Sequence, residues 1–183
     1  MNKTILTLIL SLTILSACKK KQDPFLISKQ HIGLLTDSSQ VKDLESIYIN
    51  DSIVKRIGGD EFLGQISDIE IYDHTGNLML LLTPSQALDS TATIETVKII
   101  DHRYKTEKGV HSASTFGDIK NNYTISSIQN TFKNVVIFVD GINAFFTIDK
   151  SELPSELEYN SKIKIEAIQI PDAAKIKYFM IGW

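Results

Sequence analysis

Apolar residues in this chain recur mostly at every second position or fill runs of about five, a period that admits strands and excludes long amphipathic helices. The pattern predicts strands over 51–57, 65–73, 77–83, 93–101, 124–129, 133–140, 143–148, 162–170 and 175–182. Two short segments read as helices, 38–48 and 113–122. Each opens with serine or threonine and carries an acidic residue a few positions on, which suits an N-cap beside the positive end of the helix dipole. Asp140-Gly141 is a compact hairpin signal, and Asp73 to Asn77 a looser one. The expected fold class is α+β, dominated by antiparallel pairing. The runs LMLLL (78–82) and VVIFV (135–139) are apolar at every position. Such strands want cover on both faces, so either two layers pack on them or an apolar surface remains for a partner or ligand.

The two helical segments resemble each other. Residues 39–53 set against 114–128 without a gap share Ser39/Ser114, Asp43/Asp118, Tyr48/Tyr123, Ser52/Ser127 and Ile53/Ile128. Downstream, 94–101 (IETVKIID) matches 165–172 (IEAIQIPD) at Ile94/Ile165, Glu95/Glu166, Ile99/Ile170 and Asp101/Asp172. The expectation is a tandem duplication of a helix–antiparallel-meander unit of about 70 residues, giving a first unit over 31–103 and a second over 104–183. In both matched segments the apolar positions change phase, which suits a β-bulge or a strand buried on both sides.

The first seventeen residues carry a positive start at Lys3, an apolar middle and the small residues Ser16 and Ala17. That is the plan of a cleaved signal peptide over 1–17. Its apolar run, extended to Ala17, is thirteen residues, whereas a spanning helix needs roughly 20. The quartet Leu15-Ser16-Ala17-Cys18 resembles the lipobox of bacterial lipoproteins. That resemblance implies diacylglycerol on the Cys18 thiol, cleavage before it and acylation of the new amino terminus. Several acyl chains give stable anchoring where one gives only marginal binding. Cys18 is the only cysteine, so no intramolecular disulfide framework exists. Lys19 to Lys21 then begin an expected tether over 18–30. No aspartate follows the cysteine, so the lipoprotein resemblance implies the outer rather than the inner membrane of the envelope.

The stretch TEKGVHSASTFGDIKNNY (106–123), followed by strands and the ending IKYFMIGW (176–183), resembles the sigma-E-regulated envelope lipoproteins of proteobacteria. Thr106, Gly109, Val110, Thr115, Phe116 and Asp118 fit that group's motif, with Ile119 for leucine; its second glycine is missing, Ser112 or Ala113 standing there. The group brings no established activity with it. Gly33 with Ser39-Gln40-Val41, and Gly109 with Ser114-Thr115-Phe116, are degenerate versions of a helix start used elsewhere. They are similar to those of outer-membrane-assembly small lipoproteins and of the β-lactamase inhibitor proteins, which have two tandem units. In those families the sheet or its loops bind another protein.

Little points to chemistry. The mature chain carries 18 basic and 22 acidic residues, a net charge of −4, which gives no support for nucleic-acid binding. His31, His74, His102 and His111 form no i, i+3 or i, i+4 pair and no HExxH motif. Asp101, His102 and His111 would need a further metal ligand, such as Asp118, brought in by the fold. No Gly-x-Ser-x-Gly elbow is present. No catalytic residue, metal or cofactor is expected. Asp43 and Asp118 read first as helix-dipole partners and Tyr48 and Tyr123 as packing residues; all four are also candidate partner contacts. The leading expectation is a non-catalytic, membrane-anchored accessory that binds an envelope protein. A binder of a small hydrophobic or lipid ligand is the alternative, and an unrecognised hydrolase the third reading. Radiolabelled palmitate should enter the wild-type chain in cells and fail to enter Cys18→Ala; equal labelling of both would remove the lipid assignment.

Overall fold

The computed structural model describes residues 22–58, 66–158 and 162–183, so Cys18 and the expected signal lie outside the described residues. The architecture is mixed α/β and mostly β, with two sheets and a few short helices. The chain opens with β1 (Leu26–Ile27), β2 (His31–Ile32) and β3 (Leu35–Thr36). A 3-10 turn over Val41–Asp43 runs into α1 (Leu44–Ile47), and four strands follow as a meander: β4 (Ser52–Gly58), β5 (Ile66–Tyr72), β6 (Leu78–Pro84) and β7 (Ile94–Ile99). After β8 (Lys105–Thr106) comes α2 (Phe116–Asn122), then β9 (Ile125–Asn130), β10 (Asn134–Val139) and β11 (Ala144–Asp149). A short α3 (Ser155–Glu158) precedes the last strand, β12 (Ile176–Gly182).

The large sheet runs β4-β5-β6-β7-β12-β11-β10-β9, and all its pairings are antiparallel. Its two outer edges are β4 and β9. The small sheet runs β3-β2-β1-β8, with β1 parallel to β8. Both hairpin signals form turns. Gly141 adopts φ +89°, a conformation open to glycine at little cost. The Asp73 carboxylate accepts hydrogen bonds from the Thr75 and Asn77 backbone N–H groups, each at 3.0 Å, and Gly76 takes φ +86°.

Each meander meets its helix in the same way. Val41 N donates to Ala92 O at 3.0 Å, and Phe116 N to Ala174 O at 2.9 Å. Ile94 N donates to Ser39 O at 3.2 Å, and Ile176 N to Ser114 O at 3.3 Å. The register of β6 against β7 slips past Glu95, and that of β11 against β12 slips past Lys177. Of the two readings of the phase change, a bulge and a strand buried on both sides, a bulge forms in the first half, at Ile94–Thr96. In the second half it lies at Ile176–Tyr178 and not in 165–172.

That is one of three differences from the sequence reading. Residues 162–170 form no strand: they carry a 3-10 turn over Ala167–Gln169. Both edges of β12 are already paired with β7 and β11, so no sheet edge awaits another strand there. The Gln169 side chain instead accepts from Glu166 N at 2.8 Å, and Ile165 and Ile170 anchor the segment in the core. Secondly, residues 22–30 of the expected tether belong to the fold, since Gln22 and Phe25 are bonded to it, β1 is paired on both sides and Ile27 is fully buried. Thirdly, the small sheet escapes a periodicity argument because each of its strands has only two residues.

One face of the large sheet holds the core. Ile69, Ile71, Leu80, Leu82, Val97, Ile99, Phe179, Ile181, Phe146, Ile148, Val135 and Ile137 are buried there in a single cluster with Val41, Leu44, Phe116 and Ile119 of the helical segments and Ile27, Ile32 and Leu35 of the small sheet. Phe146 and Phe179 face each other across β11 and β12 with ring centroids 4.6 Å apart. Phe146→Ala is expected to cost about 3–5 kcal/mol in urea denaturation. The neighbouring Phe145→Ala, on the opposite face, is expected to cost under about 1 kcal/mol. Equal losses would contradict this assignment of faces.

Candidate functional site

The repeated helix residues are used inside the fold. The Asp43 carboxylate accepts from Gln40 N at 3.0 Å and that of Asp118 from Thr115 N at 2.8 Å, so both close the first turn of their helix. Tyr48 and Tyr123 end the two helices and are 4% and 8% exposed, which leaves little of either ring for a partner. Ser39 and Ser114, matched in the repeat, are buried and accept from the N–H three residues earlier, Thr36 N at 2.9 Å and His111 N at 3.2 Å.

Away from the core, the large sheet presents a different surface. Val54, Glu70, Leu81, Lys98, Met180, Phe145, Phe138 and Ser127 stand directly opposite one another from β4 to β9 and form one row across all eight strands. Leu81, Met180, Phe145 and Phe138 are half-buried, and none of them is packed against the core cluster. Phe138 and Phe145 stack with centroids 5.6 Å apart. Val136 and Tyr178 widen the apolar area, and Lys98 Nζ lies 3.8 Å from the centre of the Tyr178 ring. Toward β4 the row becomes polar. Arg56 Nε meets Glu70 Oε1 at 2.8 Å, Tyr72 donates to Glu70 Oε2 at 2.8 Å, and the Arg56 contact, reinforced by Tyr72, lowers the Glu70 pKa. The continuous apolar run in β10 is thus explained: alternate residues enter the core, and Val136 and Phe138 remain half-exposed on the open face. In β6 the register against β5 slips past Met79, so Met79, Leu80 and Leu82 are all buried and Leu81 is left half-exposed.

A second, polar cleft lies where the small sheet meets the β5–β6 turn. Phe25, Leu34, Tyr48, Asp51, Asp73, His74, Arg103 and Tyr104 line a cavity of about 180 Å³. Arg103 joins Asp73, at 2.7 Å from Nη2, to Asp101, at 2.6 Å from Nε, and sits 4.8 Å from the Phe25 ring centre. The Thr75 hydroxyl and Asn77 N–H, with Arg103, hold the Asp73 carboxyl well below the usual carboxylate range. Burial, with Asp73 nearby, raises the Asp51 pKa. Burial also pushes Tyr104 up to about 12 and Tyr48 well above its ordinary value. The Tyr48 hydroxyl has no hydrogen bond of ordinary geometry among the described residues, although the Tyr104 phenol stands beside it.

The residues considered for a metal do not come together as a ligand set. The His102 and His111 rings lie 6.5 Å apart, while Asp101 is bound by Arg103 and Asp118 by its helix cap. Among the described residues no group of three or more His, Cys, Asp or Glu side chains is placed to hold a metal ion. No helix among them is long and apolar enough to cross a membrane.

These features define the chain as a β-rich α/β fold with one covered and one open sheet face. In the solved structures, the crystal structure of the uncharacterised protein YfeY from Escherichia coli shares this fold. The TM-score is 0.58 at 12% identity, over 86% of this chain and 99% of that one. At that identity the likeness establishes the fold alone. No protein-family model matches the chain, and no curated protein matches it either.

The cleft carboxylates should have opposite effects on stability. A folded-state pKa below the unfolded value of about 3.9 stabilises the protein above that pH, and the gain fades as acid reaches the depressed pKa. A raised pKa costs stability at neutral pH, and the cost is relieved as the pH falls through it. Asp73→Asn should therefore lower the thermal midpoint at pH 7 and Asp51→Asn should raise it, with both differences closing in acid. Melting curves across this pH range check both signs.

Proposed function

We propose that this chain is a lipid-anchored envelope protein, held at a membrane by Cys18, whose large sheet binds a protein partner on its open face and performs no chemistry of its own. The observation that carries this reading is the row Leu81, Met180, Phe145 and Phe138, half-exposed and outside the core. Met180, Phe145 and Phe138 form a contiguous apolar stretch, Lys98 stands between it and Leu81, and the Arg56–Glu70 pair lies beyond, a mixture of apolar surface and charge that suits a protein interface better than a solvent face. In this reading the sheet consists of two tandem helix–meander units. The matched helix-to-strand hydrogen bonds and the paired register slips at Glu95 and Lys177 support that organisation. They set Ile94 in correspondence with Ile176 rather than with Ile165.

The alternative, a binder of a small hydrophobic or lipid ligand, has less to rest on. The depression beside Val41, Ile69, Pro84 and Leu88 is about 150 Å³ and the cleft at Tyr48 about 180 Å³. A wider hollow of about 550 Å³ is lined mostly by Asp73, His74, Thr75, Asn77, Asp101, His102 and Arg103, polar side chains that do not suit a hydrophobic ligand. Pockets for drug-sized ligands run roughly 300–1,000 Å³. The likeness to the lipoprotein families and the lipobox at Cys18 favour the envelope, with the outer membrane ahead of the inner.

A photo-crosslinking side chain at position 81 should give a discrete adduct with an envelope protein. Phe138→Lys with Phe145→Lys should abolish that adduct while moving the thermal midpoint by less than about 3 °C. An adduct that survives the double substitution, or a co-purifying lipid with no adduct at all, would overturn the reading.

A further inference from the structure

The folded domain begins almost at the expected lipid attachment point. From Gln22 onward the chain is tied down: Gln22 Nε2 donates to Gly33 O at 2.5 Å, and Lys105 N to Phe25 O at 2.9 Å. Gly33, at φ +59°, lets Pro24 lie directly on it; a Cβ there would stand 2.1 Å from Pro24 O. Only four peptide units separate Cys18 from Gln22. Fully extended they reach about 14 Å, so an acylated Cys18 keeps this end of the domain within that distance of the bilayer surface.

The surface beside this entry point combines exposed apolar side chains with basic ones. Leu34 is 44% exposed and Leu26 37%, and the two are adjacent through the bond from Gly33 N to Leu26 O at 2.8 Å. Leu26 pairs with the exposed Lys105 across β1 and β8, and Lys29 is exposed in the turn between β1 and β2. Lys19, Lys20 and Lys21 precede them in the chain. Against these five lysines stand the exposed Asp23 and Asp37, while the mature chain as a whole carries −4. Exposed leucines with Lys105 beside Leu26 and Lys29 in the adjoining turn match the two components of an anionic bilayer, its hydrocarbon boundary and its charged head groups.

Resting on the lipid-anchor reading above, we propose that the outer side of the small sheet lies on the membrane itself. Leu26 and Leu34 dip into the interface, and Lys29 and Lys105 contact acidic head groups. The short span from Cys18 makes this contact effectively intramolecular, so a patch too weak to recruit the protein alone suffices to orient it. The domain is thereby held in one attitude, with its amino-terminal side against the lipid.

The test uses the full lipidated chain in vesicles of equal phosphatidylethanolamine and phosphatidylglycerol. Because Cys18 is blocked by its thioether, Leu34→Cys gives a single site for a spin label, Leu26→Cys a second, and Ile168→Cys, in the exposed turn, a control. Labels at 34 and 26 should relax severalfold faster with dissolved oxygen than with a water-soluble nickel chelate, and the label at 168 should show the reverse. Lys29→Glu with Lys105→Glu should return the label at 34 to water while the protein stays vesicle-bound. Intact mass separates the two failures. An acylated Cys18 with a water-exposed label at both 34 and 26 overturns this proposal alone, whereas an unacylated Cys18 overturns the anchor reading and this proposal with it.

Discussion

The antiparallel pairing of β7 with β12 joins what would otherwise be two separate four-stranded meanders. Phe179 stands opposite Ile99 and Ile181 opposite Val97, so the seam is filled by large apolar side chains that reach the core from both sides. The flanking strands repeat the arrangement, with Leu82 on Val97 and Phe146 on Phe179. The seam makes one eight-stranded sheet of the two meanders. With it, a continuous floor of buried side chains receives α1, α2 and the small sheet on one side. Among the described residues nothing is left to cover the opposite side, and its open face follows from that one-sided supply of cover.

Much of this was legible in the sequence, for physical reasons that differ by element. Outside the apolar runs of β6 and β10, the strands of the large sheet show a period-two pattern because one face of each is core and the other is not. The two helix starts are marked by Ser39 and Asp43, and by Ser114 and Asp118, residues that bond to local backbone and so leave a local signature. The segment 162–170 misleads because its apolar spacing serves to pin a loop by Ile165 and Ile170. Its resemblance to 94–101 is accordingly one of residues and not of position in the sheet. The small sheet depends on Gly33 and on Lys105 N bonding Phe25 O, contacts between distant positions that no local window contains.

The candidate surfaces were less legible than the fold. Tyr48 and Tyr123 are repeated in sequence, and both are buried at helix ends, where they serve packing. Phe138 and Phe145 attracted no attention in the sequence, since in an apolar run the inward and outward residues look alike. Only the register, which places Phe138, Phe145 and Met180 side by side, separates them from their buried neighbours. The Arg103 cleft likewise draws Asp51, Asp73 and Asp101 from three separate connections, and the sequence holds no motif that links them.

The two outer edges of the large sheet differ in a way that bears on how the protein behaves when concentrated. β4 carries Lys55 and Arg56, charges that discourage another strand from adding to it. β9 reads Ile125, Ser126, Ser127, Ile128, Gln129 and Asn130, with no charge and no proline. Of the two edges β9 is therefore the one more open to lateral growth of the sheet, although its last residue, Asn130, already donates to Ile163 O at 2.8 Å. For storage and refolding, a single lysine placed at Ser126 or Ser127 is the natural safeguard against aggregation.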